Sequence, residues 1–457
     1  MKTSLLTALL ASVIGCGSSS SPSTTMPAPA PAPDTVAPAP APAPPSNKPK
    51  PEYGTWGFDA TGMDKQVAPG QSFFQYADGT WIKRTPMPED KSNYGLFTLL
   101  NDKSNERLKA ILEAASGDPD SNGQRIGDYY KTFMDEAAIE QLGAKPIQPM
   151  LAEIAKIGDT RGLMLAFARG SRRLDFSMPF ATGVGQDDRE PDKYIAGISQ
   201  GGLGLADRDM YDAKNAQFEA MRGGYKKYLA QLFTLIGQKD GEKRAAAVYA
   251  LEEKIAAAHW TQIQNRDPVK TYNKLTIAEL TKLAPDVDWK AWLKAVGLEG
   301  QPAVLVAQPP VIAATAKLVK TQPLAVWKDF LTVHAVNASS PYLSKAFVDA
   351  HFEMFGKIST GTPQLEARWK RGVTQVDRGM GEAAGQAYVA KYFPPETKAA
   401  ADKLVKNILV AMGQRLDGLT WMGADTKARA KAKLATYNPK IGYPAKWRDY
   451  TGLKVVA

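Results

Sequence analysis

Residues 362–388 read TPQLEARWKRGVTQVDRGMGEAAGQAY, and their spacing decides the class of fold. Leu365, Trp369, Val373, Val376, Met380, Ala384 and Tyr388 recur every three or four positions. At 3.6 residues per turn such positions share one face, so the segment is expected to form a long helix with one buried stripe. Thr362 is expected to cap it, with Pro363 at the first helical position, where the missing N–H breaks no intrahelical bond. Phe393-Pro394-Pro395-Glu396 stops that helix and starts another, in which Leu404, Ile408, Met412, Leu416 and Leu419 repeat the period. Further out, the same periodicity marks residues 92–115, 207–237, 241–260 and 323–336. One region departs from it. Residues 176–185 and 193–200 are apolar and rich in β-forming residues, and the polar run 186–192 divides them, which reads as a β-hairpin. No helical repeat of fixed length recurs, which argues against a solenoid. The expected fold is mainly α: a large multi-helix lobe with a small β-hairpin.

Composition narrows the function. The 457 residues are 44% hydrophobic and 23% charged, which excludes wholesale disorder and leaves room for roughly three domains or one large helical body with satellites. A single cysteine excludes a disulfide scaffold and a Cys-rich zinc module. The formal charge of +10 is spread among acidic residues, with no basic tract interleaved with aromatics, so no nucleic-acid partner is expected.

The first residues read as an address. Lys2 precedes the short apolar core 5–14, which is too short for a permanent span and runs into Val13-Ile14-Gly15-Cys16. Small residues ahead of a cysteine look like a bacterial lipobox, so residues 1–15 are expected to be a lipoprotein signal peptide. Cys16, the only cysteine, is then the lipid-attachment site and anchors the chain in membrane lipid. Gly17 stands where enteric bacteria place an inner-membrane retention aspartate. The expected location is therefore the bacterial cell envelope, at the outer membrane, facing the periplasm or the surface. Residues 16–51 turn Ser-rich and then alternate Pro with Ala, which removes the N–H donors a helix or sheet would need. In polyproline II they make a tether of up to roughly 100 Å. The folded body is expected at 52–457.

Motifs for chemistry are sparse. Gly197-Ile198-Ser199-Gln200-Gly201 matches the G-x-S-x-G elbow of serine hydrolases, but that elbow leads directly into a helix. Here Gly201-Gly202-Leu203-Gly204-Leu205 follows, so the run reads as a hairpin ending in a Gly-rich loop. The histidines are His259, His334 and His351, and no two are four apart as H-E-x-x-H requires. They read as packed or helix-surface structural histidines. No catalytic residue and no metal ligand is expected within this chain.

A resemblance runs through the body. Phe58-Asp59-Ala60-Thr61-Gly62-Met63-Asp64, Val67-Ala68-Pro69-Gly70 and Phe73-Phe74-Gln75-Tyr76-Ala77-Asp78-Gly79-Thr80-Trp81 open it. Ser199-Gln200-Gly201-Gly202-Leu203-Gly204-Leu205-Ala206-Asp207-Arg208-Asp209, His259-Trp260-Thr261 and Asn265-Arg266-Asp267-Pro268 follow in order. Arg368-Trp369-Lys370, Tyr392-Phe393-Pro394-Pro395 and Lys440-Ile441-Gly442-Tyr443-Pro444 close it. Together they resemble neprilysin-like zinc metallopeptidases, which include endothelin-converting enzyme and bacterial oligopeptidases.

The resemblance implies a two-lobed gluzincin metallopeptidase, of which this chain is the helical, non-catalytic N-terminal portion. In that family H-E-x-x-H, a downstream glutamate ligand and an Asn-Ala pair that grips substrate lie beyond the point matching Ala457. A fragment, a truncated product and half of a split pair all fit. Zinc is then expected for the full-length enzyme and not for this chain. The implied partners are peptide substrates, membrane lipid through Cys16, and a catalytic domain in cis or in trans. The helical lobe of the family caps a chamber that admits short peptides. Mammalian members place a substrate-binding arginine before the Tyr-Gly matching Tyr94-Gly95; Asn93 stands there, and Phe97 keeps the family's aromatic. Asn93 and Phe97 are therefore the expected substrate-binding residues. The alternative is a catalytically dead helical envelope lipoprotein that binds peptides or a protein partner.

Overall fold

The computed structural model describes residues 59–115, 121–172 and 176–455. The expected signal peptide, Cys16 and the Pro/Ala tether lie outside the described residues. The chain divides into two units, with the boundary between Thr85 and Pro86.

The described part of the first unit holds a 3-10 turn, Ala60–Gly62, and a helix, Phe73–Arg84. Asp59 caps the turn by accepting the Thr61 N–H at 3.0 Å, and Ser72 caps the helix by accepting the Gln75 N–H at 3.3 Å. Buried Asp64 accepts from Lys83 Nζ at 2.8 Å and from the Gln66 N–H at 3.1 Å. A Cβ at Gly79 would stand 2.8 Å from the Asp64 Cβ, so this crossing requires glycine.

The second unit is mostly helical, as its apolar periodicity implies. Of the segments read as helical, 92–115 contains Leu96–Glu113, and 207–237 contains Glu219–Leu235 after two short 3-10 turns. Residues 241–260 and 323–336 match the helices Gly241–Ala258 and Leu324–Ser339. The hairpin is present: β1 (Phe180–Gln186) pairs antiparallel with β2 (Tyr194–Gln200), Phe180 opposite Gln200 and Gln186 opposite Tyr194. Two strands extend it, β3 (Lys274–Thr276) and β4 (Ala303–Val306), giving the order β1-β2-β4-β3 with β2 and β4 parallel. Buried Asp187 fixes the hairpin turn, accepting from Tyr272 Oη at 2.7 Å, Lys274 Nζ at 3.0 Å and the Arg189 N–H at 3.0 Å.

The main core is aromatic. Phe167, Trp327 and Phe330 meet edge to face, as do Phe180, Trp289 and Trp292, which joins the sheet to the helices around it. A smaller core lies among Leu96–Glu113, Asn122–Met134 and Arg368–Tyr392, where Leu112, Ile126, Tyr130, Val373, Val376 and Met380 are buried together.

Two sequence expectations need correction. The long helix begins at Arg368, not at Pro363. The backbone before it is committed elsewhere: the Thr362 N–H donates to the Gly356 carbonyl at 3.1 Å and the Gln364 N–H to the Glu89 carbonyl at 3.1 Å. Arg368 then ties the helix start to the Phe133 carbonyl through Nε at 2.9 Å and Nη2 at 2.6 Å. Trp369 consequently sits at the edge of the stripe, half-buried, with the Lys109 ammonium 4.9 Å from its ring centroid. The second correction concerns the helix Pro395–Gly418. It starts at the expected proline, yet it and Ala424–Ala435 contain no buried residue. Leu404 is 61% exposed and Met412 48%. The period is real, but among the described residues the two helices pack chiefly on each other, and their apolar faces remain open to solvent.

Candidate functional site

Asn93 and Phe97 lie just before and within the first turn of Leu96–Glu113, and both are exposed, Phe97 to 85%. Leu96 and Leu100 are exposed beside Phe97. Charge holds this segment in place. Lys91 donates to Glu366 at 2.8 Å and lies 3.3 Å from Asp102; Lys370 reaches Asp90 at 3.0 Å. These side chains are largely buried, so the pairs are screened less than surface pairs. Burial alone would depress the Lys91 ammonium, but the Glu366 bond and the Asp102 charge outweigh it and hold it above its ordinary range. The exposed aromatic therefore stands on a fixed segment.

The three histidines go to three separate places. His334 lies buried with Nε2 2.9 Å from Glu252 Oε1. The same carboxylate accepts from Tyr211 Oη at 2.6 Å and Tyr225 Oη at 3.0 Å. Tyr211 Oη in turn accepts the N–H groups of Gly204 at 3.0 Å and Leu205 at 2.9 Å, which pins the Gly-rich loop. Burial, reinforced by the Glu252 charge, pushes both tyrosine hydroxyls well above their ordinary value. His351 packs on Phe355, ring centroids 4.8 Å apart, and burial pushes it down to about 4. His259 is buried as well, and desolvation likewise pushes it down to about 4. Its Nε2 is 3.0 Å from the Gly201 carbonyl, and a carbonyl only accepts, so Nε2 carries the proton.

These arrangements do not fit a zinc centre. His259 and His334 each spend Nε2 on a protein acceptor, and among the described residues no three His, Cys, Asp or Glu side chains are placed to hold a metal ion. Ser199 is no elbow nucleophile either: it lies within β2, one residue before its end, and the chain continues into the glycine loop. A Cβ at Gly204 would lie 1.7 Å from Tyr225 Oη and one at Gly201 2.4 Å from the Met178 carbonyl, so these glycines serve close packing.

What sequence reasoning did not locate is a cleft of about 450 Å³. Its walls come from the glycine loop, the segment after Gly241–Ala258, and the π-helix Glu353–Ile358. One signal was present: the segments 199–209, 259–261 and 265–268, far apart in sequence, all reach this cleft. A chain of amides joins them. The Gln200 N–H donates to Gln308 Oε1 at 3.0 Å, which leaves Gln308 Nε2 to donate to Asn265 Oδ1 at 3.0 Å. Gln200 also bridges to Trp260, its Oε1 accepting the Trp260 N–H at 2.9 Å and its Nε2 donating to the Trp260 carbonyl at 3.2 Å. Arg208 Nη1 donates to the His259 carbonyl, and Gln262 Nε2 donates to Asp207 Oδ2 at 2.9 Å.

Comparison with known proteins agrees with this geometry. The M. tuberculosis zinc metalloprotease Zmp1 in complex with an inhibitor is 32% identical, with a TM-score of 0.81 over 86% of this chain and 60% of that one. PepO from Lactobacillus rhamnosis shares the fold, with a TM-score of 0.73 at 20% identity over 84% of this chain and 61% of that one. Endothelin-converting enzyme-like 1 of Rattus norvegicus is 30% identical over 407 residues, 85% of this chain and 52% of the relative. The chain thus spans about half the length of the curated relatives it matches. The sequence model described as peptidase family M13 matches residues 69–444, and the chain belongs to that family.

Proposed function

We propose that this chain is the helical, non-catalytic portion of a lipid-anchored zinc metalloendopeptidase of the neprilysin type, acting on short peptides. In this reading it caps the chamber in which a catalytic half, supplied in cis or in trans, holds zinc. Asn93 and Phe97 contact the peptide. Residues 1–15 are a signal peptide, and lipid on Cys16 holds the protein in the cell envelope through the 16–51 tether, at the outer membrane.

The observation that carries the reading is the open apolar face of Pro395–Gly418. Leu404, Ile408 and Met412, one turn apart on the helix, and Trp421 just past its end at 76% exposure, face solvent on a helix pair with no buried residue. An exposed apolar stripe of this kind supports an interaction surface. The half-length match to the relatives supports a catalytic lobe as what covers it. The test mixes the purified chain with the separately produced catalytic half of Zmp1, zinc and a quenched fluorescent peptide. Chelator-sensitive turnover that exceeds that of either half alone, and is lost in an Ile408→Asp/Trp421→Asp variant, is expected. No association and no gain in turnover would overturn the reading.

A further inference from the structure

The cleft beside His259 carries its own chemistry, independent of the peptidase reading. The amide chain described above fixes the orientation of Asn265. Gln308 must accept from a backbone N–H, so its nitrogen donates and Asn265 presents Oδ1 to it. That leaves Asn265 Nδ2 without a partner among the described residues. Trp260 Nε1, on the same segment, and Arg208 Nη2 likewise have no hydrogen bond among the described residues; Arg208 spends Nη1 on the His259 carbonyl and holds Nε 3.5 Å from Asp209. The cleft's one carboxylate is committed: Asp207 Oδ1 accepts the Asp209 N–H at 2.8 Å and Oδ2 accepts Gln262 at 2.9 Å. His259 is neutral near pH 7 and adds no charge. Three side-chain N–H groups of the lining, one of them on a guanidinium, are thus unmet among the described residues.

The lining also carries apolar side chains. These are Leu203, Met210, Met221 and Phe355, with Phe355 carried by the π-helix, a local geometry enriched at functional sites. Methionines adapt to varied apolar shapes. The volume suits a small ligand.

We infer that this cleft binds a carboxylate carried beside an apolar side chain, the chemistry of a peptide C-terminus. Arg208, Asn265 and Trp260 donate to the carboxylate, and Met210, Met221 and Phe355 take the side chain. These residues are distinct from Asn93 and Phe97. Asp207 and Asp209 offset part of the Arg208 charge, so the affinity is modest, with a Kd on the order of 1 mM.

The test is calorimetric titration of the full chain with N-acetyl-Ala-Met as the free acid and as its C-terminal amide. The acid should bind saturably and at least tenfold tighter than the amide. Asn265→Asp keeps the oxygen that Gln308 needs but turns the cleft-facing donor into a carboxylate oxygen, and should abolish the preference for acid. Trp260→Phe removes the indole N–H together with part of the ring and should weaken the acid severalfold more than the amide; it decides the matter should Asn265→Asp or Arg208→Gln fail to fold. Equal binding of acid and amide, absence of saturation by about 10 mM, or variants that bind the acid as the parent does would each overturn the inference. None of these readouts depends on turnover, so the outcome is separable from that of the peptidase assay.

Discussion

Arg368–Tyr392 and Pro395–Gly418 are neighbours in sequence, with the same apolar period and opposite environments. The first buries Val373, Val376 and Met380 against Leu112, Ile126 and Tyr130. The second buries nothing. An apolar stripe records that a helix will be covered; what covers it is a matter of tertiary structure, and here the two answers differ within one turn of chain. The first helix belongs to a core within the described residues, and the second leaves its apolar side chains exposed.

The sharpest way to break this contrast uses one substitution twice. Met380 is 2% exposed and Met412 48%. Met380→Ala should cost about 2–5 kcal/mol, and Met412→Ala no more than about 0.5 kcal/mol, in denaturant unfolding of the chain alone. Similar costs at the two sites would mean that Pro395–Gly418 is buried after all.

Glycines separate the helices next. A Cβ at Gly372 would meet Tyr130 Cε2 at 2.9 Å, whereas one at Gly413 meets only Leu434 Cδ2 at 3.6 Å. Gly372→Ala should destabilise by roughly 1–3 kcal/mol through overpacking. Gly413→Ala should stabilise by up to about 1 kcal/mol through helix propensity. Melting temperatures that move in the same direction would contradict the assignment.

Acid provides a third contrast. His259 and His351 both lie in the body, each held near 4 by burial, against about 6.5 in an unfolded chain. Between those values the unfolded state binds more protons, so stability is fully present above pH 6.5 and falls as pH drops towards 4. The loss should be about 1 kcal/mol per histidine for each pH unit in that window. His351→Phe should flatten the slope of stability against pH; an unchanged slope would show that its imidazole protonates freely in the native state. An intermediate effect is expected at Trp369. Half-buried at the edge of its stripe, it should cost roughly 1–2 kcal/mol on truncation to alanine, below the range for a fully buried tryptophan.

Much of the architecture was readable in the residues. Long apolar periods marked the major helices, and the β-rich runs around 186–192 marked β1 and β2. The short strands β3 and β4 escaped because three or four residues carry no period, and the sheet that absorbs them is a non-local event. The Thr362-Pro363 signal misled because a cap signature is local, whereas the Gln364 N–H is claimed by Glu89, far away in sequence. The cleft was half readable. Its segments were singled out by resemblance, but their meeting depends on Gln200, Gln308 and Asn265 joining across separate elements, and no spacing rule encodes that.

Hydrogen exchange on the full chain, with and without an added catalytic half of Zmp1, tests the central contrast most directly. Alone, the amides of 324–339 and 368–392 should exchange slowly and those of 395–435 markedly faster; on mixing, protection should rise at 395–435 and leave 324–339 unchanged. Protection at 395–435 already equal to that of the core in the isolated chain, or no change there on mixing, would contradict the account.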